Sequence, residues 1–168
     1  MSTSNSSHSP TADAIKQTRP FRSLEHEAFV SVQRLAAEHA AQVAELLKPT
    51  GISAAQYNVL RILRGAKDVG LSCGEIGERL IAKDPDTTRL IDRLVKQDLA
   101  IRARDGTDRR VVTTRITEKG LELLASLDEP VADLHQRQFA TLGPDRLRAL
   151  LDLLDLLDTA TPGGNTGS

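Results

Sequence analysis

The 168-residue chain predicts a mainly α-helical fold with one small β-hairpin. Three observations carry this: apolar residues recur at three- and four-residue steps along most of the chain, serine and threonine helix caps punctuate those stretches, and only one region alternates with period two. That region, "IRARDGTDRRVVTTRI", holds two short runs around an Asp-Gly turn. At 39% hydrophobic residues the chain can bury a core, and its length suits one domain plus an oligomerisation element.

Residues 1–22 and 161–168 are Ser/Thr/Gly/Pro-rich and are expected to be disordered tails. From Ser23, the positions Ala28, Val32, Leu35, His39, Val43 and Leu46 mark a long first helix that Gly51 ends. Its alanines, Ala36, Ala37, Ala40, Ala41 and Ala44, suit close approach by a second helix. "SAAQ" at Ser53 and "SCGE" at Ser72 are capping boxes, in which a serine oxygen takes the amide three residues on and the Gln or Glu reaches back. Tyr57, Leu60 and Leu63 line the first of these helices, and Ile76 with Leu80 the second. Gly65 and "KDVG" separate them.

After the linker Ile81-Ala82-Lys83, Asp84 is expected as an N-cap with Pro85 in the first turn. Leu90, Ile91, Leu94 and Val95 then face inward, leaving Asp86, Thr87, Thr88, Arg89, Arg93 and Lys96 on a basic outer face. Beyond the hairpin, "TEKG" caps a helix at Thr117 that Pro130 is expected to kink or break. The final helix starts at Gly143-Pro144 and carries Leu147, Leu150, Leu151, Leu154 and Leu157. This leucine stripe and the alanine-rich first helix read together as a dimer interface built from both chain ends.

Net charge is only −1, which conceals a division along the chain: residues 87–116 hold eight basic and four acidic side chains, residues 117–168 four basic and nine acidic. A nucleic-acid argument must therefore be regional. Three helices followed by a hairpin, with two of the helices joined by a short turn, is the order of a winged helix-turn-helix, whose second helix enters the DNA major groove. Thr87 and Thr88 then face bases, Asp86 a cytosine amine, and Arg89 and Arg93 guanine or phosphate. Arg109 and Arg110, on the hairpin tip, are candidates for a narrow minor groove, against the plainer reading of a solvated turn. Arg102, Arg104 and Arg115 are phosphate contacts or internal partners of Asp92, Asp98 or Asp105.

"GISAAQYNVLRILRG", "LSCGEIGERL", "DPDTTRLIDRLVKQDLAIR" and "DGTDRRVVTTRITEKG" resemble, in order, the signature segments of the MarR transcriptional regulators. The resemblance implies a homodimeric repressor that binds a pseudopalindromic operator on double-stranded DNA and is released by a small, often aromatic effector. It implies that Arg110 enters the minor groove while Asp108 braces the wing. Asp98 stands where the family usually has glycine, a position aspartate tolerates in the left-handed conformation.

The expected division is a dimerisation helix at 23–50, a DNA-binding domain at 51–120 and dimerisation helices at 121–160. His39 and Tyr57 are the candidate lining of an effector crevice, with a hydrogen-bonded core histidine as the competing reading of His39. Cys73 is read as an ordinary helix-start residue, against a redox sensor, because the chain has no second cysteine. No metal spacing, phosphate loop or catalytic motif appears, so the chain reads as a cytoplasmic non-enzyme without cofactor or membrane span. The rival class is a winged-helix module that binds an acidic protein within a larger complex.

Overall fold

The computed structural model describes residues 9–83, 86–104 and 112–160. Its elements are α1 (Pro10–Ala14), α2 (Leu24–Leu47), α3 (Ala54–Ala66), β1 (Leu71–Ser72), α4 (Cys73–Arg79), α5 (Thr87–Lys96), β2 (Ala100–Arg104), β3 (Val112–Ile116), α6 (Glu118–Phe139) and α7 (Gly143–Ala160). Among the described residues no helix is long and apolar enough to cross a membrane.

Most helix starts follow from local chemistry. The hydroxyls of Ser23, Ser53, Ser72 and Thr117 accept the amides of His26, Gln56, Glu75 and Gly120, and both expected capping boxes are complete. In the second box, the amide and hydroxyl of Ser72 hold the Glu75 carboxyl below its ordinary pKa. Helix α2 ends in a single 3-10 turn, Lys48–Thr50, and at Gly51 the backbone takes the left-handed conformation with φ 73°.

One expectation is corrected and two are refined. Within the stretch read as a tail, Ser9 caps a short helix that Pro10 opens, and Thr11 is buried with its Oγ1 2.7 Å from Ser31 Oγ on α2. A Ser-Pro start and one docked hydroxyl outweigh the polar composition. The hairpin is part of a three-stranded antiparallel sheet in the order β1-β3-β2, with Leu71 opposite Thr114 and Ser72 opposite Thr113. A two-residue strand has no periodicity to read; it forms because Leu71 is buried and Gly70, at φ 73°, turns the chain against Thr113 and Arg115. Helix α6 continues through Pro130 to Phe139. The lost amide costs one hydrogen bond, but Leu124, Leu127, Val131 and Leu134 are buried on both sides of the proline and hold the helix together across it.

The core centres on α3. Val59, Leu60 and Leu63 are fully enclosed with Leu47 of α2, Ile76 of α4, Ile91 and Leu94 of α5 and Leu124 of α6. A bidentate pair fastens α3 to α6: Arg64 donates to the Asp128 carboxylate at 2.8 and 2.9 Å. These bonds raise the Arg64 pKa and hold the Asp128 carboxyl below its usual range. The chain ends behave otherwise. On α2 only Leu47 is buried, and Phe29 and Val32 are 60% and 54% exposed; on α7 Leu151, Leu153, Leu154, Leu156 and Leu157 are all exposed.

The sheet region joins α6 at a close approach that only glycine permits. A Cβ on Gly120 would lie 2.3 Å from the Leu99 carbonyl oxygen and 2.7 Å from Ile116 Cγ1. The carbonyl is backbone, already accepts the Thr117 amide, and cannot retreat. Gly120→Ala should therefore destabilise the protein by about 1–3 kcal/mol in urea unfolding, the cost of an overpacked contact. A midpoint equal to that of the unmutated protein would show that α6 does not approach Leu99 and β3 this closely.

Candidate nucleic-acid interface

Helix α5 owes its orientation to the residues it hides. Leu90, Ile91 and Leu94 are buried against the core, and Val95 packs at its edge. At 100° per residue this puts Arg89, Asp92, Arg93 and Lys96 on the opposite face with Thr88 at its edge; all but the half-buried Asp92 are exposed. Two of the expected outward residues are placed differently. Thr87 is only 8% exposed and turns toward α4, its Oγ1 3.4 Å from where a Cβ on Gly77 would stand. It begins the buried stripe, three residues before Leu90, so it packs the helix pair instead of facing bases.

Asp86, not Asp84, caps α5. Its Oδ1 accepts the Arg89 amide at 3.3 Å and its Oδ2 lies 3.0 Å from Arg89 Nε. The carboxylate thus braces the helix start. Asp84 and Pro85 lie outside the described residues. The expected cap was Asp84; the helix starts two residues later, where the packing phase of α5 puts Asp86 at the N-cap.

Neighbouring elements hold α5 in place. Thr88 Oγ1 lies 3.4 Å from Cys73 Sγ at the start of α4. Arg102 of β2 reaches Asp92 at 2.8 Å, one of the internal pairings expected for the strand arginines. Asn58 of α3 accepts the Ile81 amide through Oδ1 at 3.1 Å, tying down the turn before α5; a lone asparagine on a helix gave no sequence signal for this. At the far end Asp98 adopts φ 60°, the left-handed conformation expected of it. Its carbonyl accepts the Thr117 hydroxyl at 2.6 Å, while Lys119 donates to the Gln97 carbonyl at 2.7 Å.

Strands β2 and β3 run antiparallel with Arg104 opposite Val112, which makes 105–111 the connecting segment of a wing. Asp108, Arg109 and Arg110 lie in that segment, outside the described residues. His39 and Tyr57 are each taken up by packing. His39 is half-buried with its ring edge-on to Phe139, centroids 5.2 Å apart, and its carbonyl accepts Gln138 Nε2. Tyr57 is buried in the core with the Arg61 guanidinium 5.9 Å from its ring centroid.

With this geometry in place, known proteins identify the family. A model of the MarR family matches residues 50–111. A MarR transcription factor from Planctomyces limnophilus is 39% identical, with a TM-score of 0.63, covering 82% of this chain and 99% of that one. This chain belongs to the MarR family. A second MarR-type structure, a mutant MarR from E. coli complexed with operator DNA, is 28% identical with a TM-score of 0.68, covering 75% of this chain and 89% of that one. The HTH-type transcriptional repressor IacR of Pseudomonas putida is 27% identical over 153 residues, 91% of this chain and 86% of its own length. The protein is accordingly a transcriptional regulator of MarR type, and these relatives are regulators rather than enzymes.

The capping assignment has a direct consequence. Asp86→Ala should cost about 0.5–2 kcal/mol in denaturant unfolding, and Asp86→Ser, which keeps a capping oxygen, much less. Equal stability of all three proteins would remove Asp86 from the cap.

Proposed function

We propose that this MarR-family protein acts in the cytoplasm as a homodimeric repressor that binds a pseudopalindromic operator and is released by a small effector. The observation that carries the DNA contact is the outer face of α5. Thr88, Arg89, Arg93 and Lys96 project from a helix whose rotation is fixed by its buried aliphatic side, within the segment where basic residues outnumber acidic ones. Thr88 and Arg89, at the start of the helix, meet base edges in the major groove, while Arg93 and Lys96 grip guanine or phosphate. On the wing, Arg110 enters the minor groove, Arg109 holds phosphate, and Asp108 aims the arginine beside it. Residues 51–120 thus form the DNA-binding unit.

Residues 23–50 and 121–160 form the dimerising unit. The support is an apolar surface that a monomer leaves wet. Phe29 and Val32 of α2 and Leu157 of α7 line one cavity of about 540 Å³. Around it Leu35, Leu153, Leu154 and Leu156 are also exposed. Exposed apolar surface of this kind marks a subunit interface, and two-fold pairing sets two α5 helices against the half-sites of one palindrome.

Selection of bound duplexes from a random pool tests the reading. It should recover an inverted repeat with half-sites about one helical turn apart, and recovery of no common sequence would sink it. Among the variants, Arg110→Ala should weaken binding most on sites with A·T-rich flanks, whereas Lys96→Ala should cost about the same on every sequence. A uniform loss from Arg110→Ala would remove the minor-groove role. For the dimer, Val32→Asp combined with Leu154→Asp should shift the sedimentation mass toward that of a monomer and weaken operator binding at least about tenfold. An unchanged mass would place the interface elsewhere.

A further inference from the structure

Two oppositely charged segments lie at one end of the molecule and do not pair within the chain. The first is the elbow between α1 and α2, residues 15–22, which carries Lys16, Arg19 and Arg22 and no acid. Several contacts give it a definite shape. Thr11 fastens α1 to Ser31 of α2, and Lys16 turns the chain at φ 54°. Gln17 Nε2 donates to the Arg19 carbonyl at 2.7 Å, and the Phe21 ring stands edge-on to His26 with centroids 5.4 Å apart. All three cations are exposed, and their side chains make no ion pair among the described residues.

The second segment is the end of α7. Residues 149–160 contain Asp152, Asp155 and Asp158 and no base, while Arg148, just before them, pairs with Asp145 at 3.2 Å. Three-residue steps keep these carboxylates within about 120° of one another, along one flank of the leucine stripe. Each is exposed and without an ion pair among the described residues. Glu25 and Phe29, in the first two turns of α2, line one cavity with Leu157. The last turns of α7 therefore lie beside the first turns of α2, at the end where the elbow enters.

Two features point to a second copy of the chain as what these charges meet. Every residue from Leu151 to Thr159 is exposed, so the chain itself does not cover the end of α7. Apolar interfaces carry a polar rim of complementary charge, and in a two-fold pair any contact from the elbow of one copy to α7 of the other is made twice.

We propose that the elbow of each copy clamps the acidic flank of α7 on the other, with Lys16, Arg19 and Arg22 set against Asp152, Asp155 and Asp158. The inference rests on the dimer proposed above and adds to it a charged rim exchanged between chains. Such a rim makes association depend on salt in a way that a leucine stripe does not.

The test uses two charge-reversed forms of the full-length protein, Arg19→Glu with Arg22→Glu, and Asp155→Lys with Asp158→Lys. Neither should harm its helix, because acids at the start of α2 and lysines at the end of α7 suit the helix dipoles. Sedimentation equilibrium reads the dissociation constant, and subunit exchange between chains carrying different fluorophores reads the same contact where dilution does not part the dimer. At about 50 mM salt each form alone should dissociate at least about tenfold more readily than the unmutated protein, and at about 500 mM the difference should fall below about threefold. Mixed in equal amounts, the two forms bring glutamates against lysines in one pair of contacts and keep the native charges in the other. About nine-tenths of the dimers should then be heterodimers, instead of the statistical half.

A dimer that either form leaves unweakened at low salt overturns the clamp, and so does a difference that persists at high salt. A mixture that stays at the statistical half, although each form alone is weakened, places the ion pairs within one chain and overturns the exchange. An unmutated protein that is a monomer at every concentration overturns the dimer reading as well, so failure of the clamp alone is told apart from failure of the dimer.

Discussion

The orientation of the basic face on α5 depends on the burial of Leu90, Ile91 and Leu94 beneath it. Each such side chain contributes about 1.5–3 kcal/mol by leaving water. Turning the helix by one residue, about 100°, would expose part of that stripe and drive charge into the core. The basic face is therefore a by-product of a hydrophobic decision. Asp86 and Arg102 make it sharper, the first by satisfying the free amides of the helix start, the second by clamping Asp92 from β2.

The same packing explains which parts of the chain were legible in its sequence. Helix starts at Ser23, Ser53, Ser72 and Thr117 could be read because a cap and its partner lie three residues apart. The left-handed turn at Asp98 was legible for a similar reason, since few residues tolerate it. Features settled by distant contacts were not. Strand β1 exists because residues forty positions away offer it an edge, and α6 survives Pro130 because its buried residues lie on both sides of the break. Thr87 looked exposed on a pattern of charges, but Gly77 leaves it room to pack inward.

Charge and apolarity are distributed along the chain to different ends. The middle, residues 87–116, carries the basic excess, while residues 117–168 are acidic and carry an apolar stripe that the monomer leaves exposed. An acidic end repels a polyanion, whereas the basic middle attracts one. The two regions meet at Gly120, at the Thr117 and Lys119 bonds to the Asp98 and Gln97 carbonyls, and in the core they share.

The salt dependence of duplex affinity tests the central claim most directly, because a protein of net charge −1 has no general attraction for a polyanion. If α5 and the wing place a local basic face on the backbone, log K should fall linearly with log salt, with a slope of about −0.9 for each phosphate neutralised. Several phosphates per dimer should be neutralised, and preference for the selected sequence should persist at every salt concentration. A slope near zero, or binding that loses all sequence preference, would contradict the account.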